Sequence, residues 1–394
     1  RRGEKGERVL LSGGLSPVPY DALGIDVGSS PGGFFAASPG DDDGGGEDVV
    51  DGGDGSSVAA TPSSSPPPPS ITPVKPISSF SERYASLSER LRRTASSYTP
   101  ERPFVLLVVG GGAGGVEVAL AAQLALGKVM AEASSSEADD DGTAQGGKKR
   151  RGKRDKKAGV GGSALKVILA TRGDDVLSGH SSKVRRIFRR ILEEKGVEVR
   201  YGAEAAGVDP PPSKEQNGNA NSPQGGTSTL LLSASSQAQP PLRFHECLWC
   251  TSAIAPPFLS SSTPFQTTSH GGFLVVDDTY QSSSHGGIFA SGDCCHMTSH
   301  PRPKAGVFAV RAGPVITENI ANFLQGNKPL RSHVPQREFL GLISTGDKYA
   351  VMSRGRWATE GAYLWKLKDK IDRKWMEGYQ KLHPRKEVHK EGGD

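Results

Sequence analysis

The chain has 394 residues, of which 51 are glycine and 28 proline, and only 35% are hydrophobic. With a mean hydropathy of −0.43, a packed core must be concentrated in parts of the chain and diluted by segments that bury little. The formal net charge of +5 is small for this length and gathers in the tract 148–157, which argues against a nucleic-acid partner. Four cysteines are too few for a disulfide scaffold and point to a reducing, intracellular compartment.

In chain order, residues 36–70 are a low-complexity insert rich in Asp, Gly, Ser and Pro. Residues 71–100 read as a connecting helix. The apolar run Phe104-Val-Leu-Leu-Val-Val109 ends in glycines, as a parallel strand buried on both faces does. Residues 116–130 predict a helix, 134–163 an insert carrying the basic tract, and 165–170 a second strand. Over 181–195, Val184, Phe188, Ile191 and Leu192 fall on one side of a helix. A third strand follows at 197–200. This βαβαβ order predicts a parallel, doubly wound sheet. Residues 209–228 and 234–241 read as polar inserts, 244–251 as a strand, and 273–277 and 286–293 as a strand and a Gly-Asp turn.

The glycine motif Gly110-Gly111-Gly112-Ala113-Gly114-Gly115 holds G-x-G-x-x-G at positions 110, 112 and 115. It follows a strand and opens a helix, the context in which it binds a dinucleotide. Gly110 permits the tight turn, Gly112 lets a pyrophosphate approach the backbone, and Gly115 lets helix and strand pack closely. The ribose-reading position falls near Thr171 and Arg172. Arg172 favours NADP, whereas Asp174 and Asp175 close behind it leave NAD open. The second motif, Gly286-Gly-Ile-Phe-Ala-Ser-Gly292-Asp293, places a carboxylate at the carboxyl edge of a sheet, where ligands of open α/β folds bind.

Together these two motifs resemble the pyridine nucleotide-disulfide oxidoreductase superfamily, in its type II NADH dehydrogenase-like branch. Further segments are similar to it: residues 20–29; 248–253, with Ser252 in place of a usual glycine; and 303–311. Residues 72–80, 340–350 and 364–375 resemble the oxidoreductase-like domain fused ahead of selenide, water dikinase, which makes such a kinase a candidate fused or separate partner. The resemblance implies two Rossmann-like domains, one for FAD and one for NAD(P)H. The flavin domain (1–35 and 265–330) is then discontinuous and incomplete on its N-terminal side, because the family's first glycine fingerprint is expected ahead of Tyr20. The NAD(P)-binding domain spans 101–264, and a C-terminal region spans 331–394. It further implies that Gly110, Gly112, Gly115 and Glu117 face the nicotinamide nucleotide, with Glu117 near the zone where the two rings stack as the catalytic candidate. Gly28 would belong to the flavin turn, Gly292 and Asp293 to the ribityl contact, and Gly306 and Val307 would offer backbone N–H groups to the flavin. The implied activity is hydride transfer from NAD(P)H to FAD and on to a small-molecule electron acceptor. The alternative is a non-catalytic Rossmann-type module serving a selenophosphate-forming kinase.

Cys247-Leu-Trp-Cys250 lies on an expected strand, where residues three apart point to opposite faces, so these thiols are not expected to pair or to share a metal. Cys294 and Cys295, beside the Gly-Asp turn, are expected to pack in the site wall. On the C-terminal helix, Leu367, Ile371, Trp375 and Tyr379 form an apolar stripe beside a basic side. This pattern fits a peripheral membrane helix or one docked on its own domain or on a second copy as a homodimer; docking is the expectation.

Overall fold

The computed structural model describes residues 8–9, 18–32, 70–140, 164–210, 227–233, 236 and 239–380. The insert 36–69, the basic tract 148–157, residues 211–226 and residues 381–394 lie outside the described residues.

Two short strands, β1 (Arg8–Val9) and β2 (Val18–Pro19), pair antiparallel, followed by β3 (Leu23–Ile25) and β4 (Ser30–Pro31). The reading of 71–100 as a connecting helix is corrected at its start: β5 (Ile71–Pro73) is a strand, and α1 (Ile77–Thr94) begins after it. Then come β6 (Phe104–Val109), α2 (Ala113–Asp140), β7 (Leu165–Ala170), α3 (Ser182–Glu194) and β8 (Val197–Arg200). The helix α2 runs into the segment expected to be an insert from 134. Ser134 and Ser135 bond back to the carbonyls of Met130 and Glu132, which satisfies their hydroxyls within the helix. Strands β9 (Ala205–Asp209), β10 (Ser228–Leu232), β11 (Leu242–Phe244) and β12 (Glu246–Trp249) follow. The single strand expected over 244–251 breaks at His245, whose Nδ1 accepts the Val105 N–H at 3.0 Å.

Strands β5, β12, β6, β7 and β8 form one parallel sheet in that order. Its strand β6 is buried along nearly its whole length, as its unbroken apolar sequence requires. Helices α1, α2 and α3 cover one face, where Leu91, Leu106, Val108, Leu120, Phe188 and Leu192 meet. The other face differs from a doubly wound sheet. It is covered by the antiparallel meander β9-β10-β11, with Leu107, Ile168, Leu230, Phe244 and Trp249 between the layers. Successive crossovers β6-α2-β7-α3-β8 have one hand and move one way along the sheet, so they leave both helices on the same face. The meander that carries the chain back to β12 fills the other.

A flanking unit is built from β3 and β4 with β13 (Ala253–Ile254), α4 (Phe258–Ser261), β14 (Leu274–Val276), β15 (Ile288–Ala290), β16 (Cys295–Met297) and α5 (Gly306–Gln325). Its strands pair two by two: β3 with β15 parallel, β14 with β16 parallel, and β4 with β13 antiparallel. A third sheet, β17 (Gly341–Ser344), β18 (Ala350–Arg354) and β19 (Trp357–Gly361), leads into α6 (Ala362–Gln380). Its Ile343, Val351 and Ala358 join the core under α2 and α3.

The expected docking of the α6 stripe on its own domain is not found for its described side chains, and burial is confined to Leu364, ahead of the stripe. Leu364 is 3% exposed, but Leu367, Ile371 and Trp375 are 41%, 46% and 45% exposed. Nineteen helical residues span about 28 Å, whereas the five-residue strands beneath reach about 17 Å. The helix therefore overhangs its sheet. Residues 113–135 of α2 are long and apolar enough to cross a membrane, yet in this fold they line the core beside β6 and β7.

Candidate active site

The loop after β6 is shaped by three glycines with three different constraints. Gly110 has φ +123°, and a Cβ there would strike the Cys250 carbonyl at the exit of β12. A Cβ on Gly115 would overlap the Gly110 carbonyl oxygen, so any side chain there forces the first turn of α2 away from the strand. Gly112 has no atom within 4 Å of its Cβ position. The protein's own packing does not require that glycine; the space it leaves is open to a ligand. The amides of Ala113, Gly114 and Gly115, in the first turn of α2, lack intrahelical acceptors and lie at the positive end of the helix dipole. Gly111, not singled out by the motif, is also constrained: a Cβ would meet the Thr171 side chain.

Thr171, at the tip of β7, is thus pressed against the glycine loop and is only 6% exposed. The loop after it is tied back by Leu177 N–H donating to the Gly111 carbonyl at 2.7 Å. Arg172 is exposed in this loop. Of the two aspartates that follow, Asp174 is exposed and Asp175 buried. The Asp175 carboxylate accepts from Val176 N–H at 2.9 Å and from Arg185 and Arg189 at 3.3 and 3.2 Å.

In the flanking unit, β3 and β15 end side by side and both open into glycine turns. Gly28 has φ +69° and Gly292 φ +68°, a region that favours glycine. A Cβ on Gly292 would also collide with the Asp26 carboxylate. These turns bring Ser29 and Asp293 together: Ser29 Oγ donates to Asp293 Oδ2 at 3.1 Å, and Lys75 Nζ reaches both at 3.0 Å. Lys75 follows β5, so this triangle joins the carboxyl edge of the five-stranded sheet to that of the flanking unit. Beside it, Lys304, Ala305 and Phe308 line a small cavity of about 50 Å³. There Gly306 and Val307 open α5 behind Ala305, which supplies no side-chain cap; Phe308 N–H donates to the Ala305 carbonyl at 3.0 Å, whereas the Gly306 and Val307 amides have no partner from the cap or the helix. Burial lowers the Lys304 pKa; its ammonium lies 3.8 Å from the Phe273 ring centroid and donates to the Cys295 carbonyl.

Glu117 sits on α2, and its partner lies in the C-terminal sheet. Its Oε1 accepts from Ser344 N–H at 2.7 Å. Burial raises its pKa, opposed by the Ser344 N–H and Lys368 and assisted by Asp372. The structure thus brings Asp293 and Gly292 together with Gly28's turn, sets Gly110, Gly112 and Gly115 in one loop, and ties Glu117 to β17. Lys75 and Ser29 escaped the reading of the sequence as site residues. The signal for Lys75 was its place between two prolines just past an apolar strand, an extended stretch that exposes what it carries.

Cys247 packs under the meander and Cys250 toward the helical face. Burial pushes the Cys247 thiol well up and the Cys250 thiol to about 12. Cys294 and Cys295 are both buried in the core of the flanking unit, and burial pushes the Cys295 thiol up to about 12. Burial thus favours the thiol form of all four cysteines.

No curated protein matches the chain. Among solved structures, the sulfide:quinone oxidoreductase from the hyperthermophilic bacterium Aquifex aeolicus is similar with a TM-score of 0.57 at 11% identity, over 92% of this chain and 70% of that one. A NAD-dependent persulfide reductase from A. fulgidus superposes with a TM-score of 0.49 at 15% identity, over 88% of this chain and 46% of that one. A FAD-dependent pyridine nucleotide-disulphide oxidoreductase from Desulfovibrio vulgaris does so with a TM-score of 0.46 at 17% identity, over 88% and 63%. The chain thus spans less than two thirds of the latter two structures, and likeness at such identities concerns the fold. The family model for pyridine nucleotide-disulphide oxidoreductase matches residues 52–313, a stretch that holds the glycine loop, Lys75, Asp293 and the start of α5, and the chain belongs to that oxidoreductase family.

Proposed function

We propose that this chain works as a flavin-dependent NAD(P)H oxidoreductase, passing electrons from a nicotinamide nucleotide through FAD to a small-molecule acceptor. One observation carries this reading: the Ser29–Lys75–Asp293 triangle fastens together the carboxyl edges of two parallel-stranded units, each ending in a glycine turn. Ligands of open α/β sheets bind outside such edges. Two dinucleotides bound there would meet between the units.

The residues fit these groups. The open space at Gly112 admits a pyrophosphate, and the free amides of α2 suit its charge. The Asp293 carboxylate, 18% exposed on its side chain, is placed to accept hydrogen bonds from ribityl hydroxyls while Lys75 and Ser29 fix its orientation. The N-terminus of α5 offers Gly306 and Val307 N–H groups with no competing cap, and such groups stabilise negative charge. When bound, the flavin supplies the two-electron acceptor chemistry. The protein's part is to hold both rings in reacting geometry and to exclude water. Glu117, held by Ser344, keeps α2 registered against the C-terminal sheet and so positions the nucleotide loop.

The test is an anaerobic titration of purified protein. The expected result is flavin absorbance that bleaches on adding NADH or NADPH. Asp293→Ala should lower flavin stoichiometry severalfold with nucleotide binding retained, and Gly112→Val should abolish nucleotide binding with flavin retained. A colourless protein that neither takes up FAD nor binds either nucleotide would overturn the reading.

A further inference from the structure

The end of β7 carries an inference about which nicotinamide nucleotide the chain selects, and it rests on the dinucleotide-binding reading above. In this fold a carboxylate at the tip of the second strand accepts a hydrogen bond from the ribose 2′-hydroxyl of NAD, whereas an arginine there accommodates the 2′-phosphate of NADP. The sequence alone leaves three candidates within four residues: Arg172, Asp174 and Asp175.

The structure removes the most favourably buried carboxylate from the contest. Both oxygens of Asp175 are spoken for, one by the Val176 N–H and the other by two guanidinium groups, Arg185 and Arg189. It is 8% exposed and turned toward α3. The strand tip itself is Thr171, neutral and wedged against Gly111. The next residue is Arg172, exposed and, among the described residues, without an ion-pair partner. The segment is also fixed in place. Ala203 N–H donates to the Thr171 carbonyl at 2.8 Å, Gly202 N–H to that of Gly173 at 2.9 Å, and Leu177 N–H to that of Gly111 at 2.7 Å. Arg172 is therefore presented by an anchored loop one residue beyond the tip of β7.

The same loop carries a cluster of net positive charge at Asp175. Two guanidinium groups share the single Asp175 carboxylate, and the Arg189 side chain stays 52% exposed. Arg172, Arg185 and Arg189 outnumber Asp174 and Asp175. A surplus of positive charge suits a phosphate dianion, and a guanidinium matches its oxygens in pairs. Asp174, exposed and two residues past Arg172, is the carboxylate of this loop that no ion pair engages among the described residues.

We infer that the chain is selective for NADPH, with Arg172 binding the 2′-phosphate and the Arg185–Asp175–Arg189 cluster holding the loop while adding positive potential. The experiment is equilibrium binding of NADPH, NADH, 2′,5′-ADP and 5′-ADP to the whole purified chain by calorimetry, with no turnover required. NADPH is expected to bind at least tenfold more tightly than NADH, and 2′,5′-ADP more tightly than 5′-ADP by a similar factor. Arg172→Ala should close both gaps, and Arg172→Lys, which keeps the charge but loses the planar fork, should fall between. Circular dichroism of each variant controls for folding. Equal binding of NADH and NADPH, or a preference that survives Arg172→Ala, would overturn the inference and leave the dinucleotide site standing. Failure of all four ligands to bind would overturn the dinucleotide reading and this inference with it.

Discussion

The five-stranded unit and the flanking unit both end parallel strands in glycine turns and both bury an apolar core, yet they differ in how far long paired strands build that core. In the first, β6 and β7 are six residues long, pair with each other along their full length and bury apolar side chains on both faces. In the second, the strands of the β3–β15 and β14–β16 pairs are three residues long. Much of the order there comes from single polar side chains. Asn319, fully buried on α5, donates to the carbonyls of Thr279 and Arg331 at 2.8 and 2.9 Å and accepts the Arg331 N–H at 2.7 Å. Asn322 donates to the Pro329 carbonyl at 3.2 Å. The difference separates two ways of building a binding edge: one rests on area removed from water by long strands, the other on a smaller apolar core supplemented by a few satisfied backbone groups whose loss is expensive.

That contrast can be broken by mutation. The largest effect is expected in the five-stranded unit, at Phe188, which is 0% exposed on the buried face of α3. Phe188→Ala should cost about 3–5 kcal/mol, through lost burial and the cavity left behind, and should lower the melting of the whole chain. An effect below about 1 kcal/mol in chemical denaturation would show that this core is not where stability resides.

In the flanking unit, Asn319→Leu keeps the branched shape, in a bulkier side chain, and removes three hydrogen bonds. It should cost about 2–3 kcal/mol, because buried backbone groups are left unpaired. Hydrogen exchange should report the loss around residues 279 and 331 before it reaches β6. A neutral or stabilising result would mean that apolar packing dominates there as well, and the contrast would fail.

The smallest effect concerns the contact between α2 and the C-terminal sheet. Burial raises the Glu117 pKa, so its protonated form is favoured in the folded chain. Its contribution to stability is present in full below the ordinary carboxylate range and is lost as pH rises through the raised value. Glu117→Gln keeps an acceptor for Ser344 N–H and carries no charge. It should raise the melting temperature at pH 7 by the equivalent of no more than about 1 kcal/mol, and the gain should vanish toward pH 4. A gain that does not depend on pH would show that the carboxyl group is not the cause.

What was legible in the sequence was local and periodic. Phe104–Val109 followed by glycines specifies a buried strand, a tight turn and a helix start through side-chain period and backbone freedom alone. The face of α3 was equally readable, and Val184, Phe188, Ile191 and Leu192 are its buried residues. The opposite faces of Cys247 and Cys250 followed from the strand period. In the flanking unit the residues alone showed the strand at 273–277 and the Gly-Asp turn, and the rest of it was reached only through the family resemblance, because three-residue strands carry no period. The meander behind the sheet was missed for a related reason: its strands are separated by inserts and look like isolated apolar scraps.

Partnerships were decided by tertiary structure. Lys75 and Asp293 are 218 positions apart, and no spacing rule links them; they meet because β5 and β15 end at facing edges. Asp174 and Asp175 are indistinguishable as letters, yet only Asp175 is turned inward to Arg185 and Arg189. The stripe on α6 is apolar in sequence but half-exposed, since the length of the strands beneath sets how much of a helix can be covered. Composition and period fix what each segment tends to become. Which charge is neutralised, and which face is left in water, depends on neighbours that the chain supplies from far away.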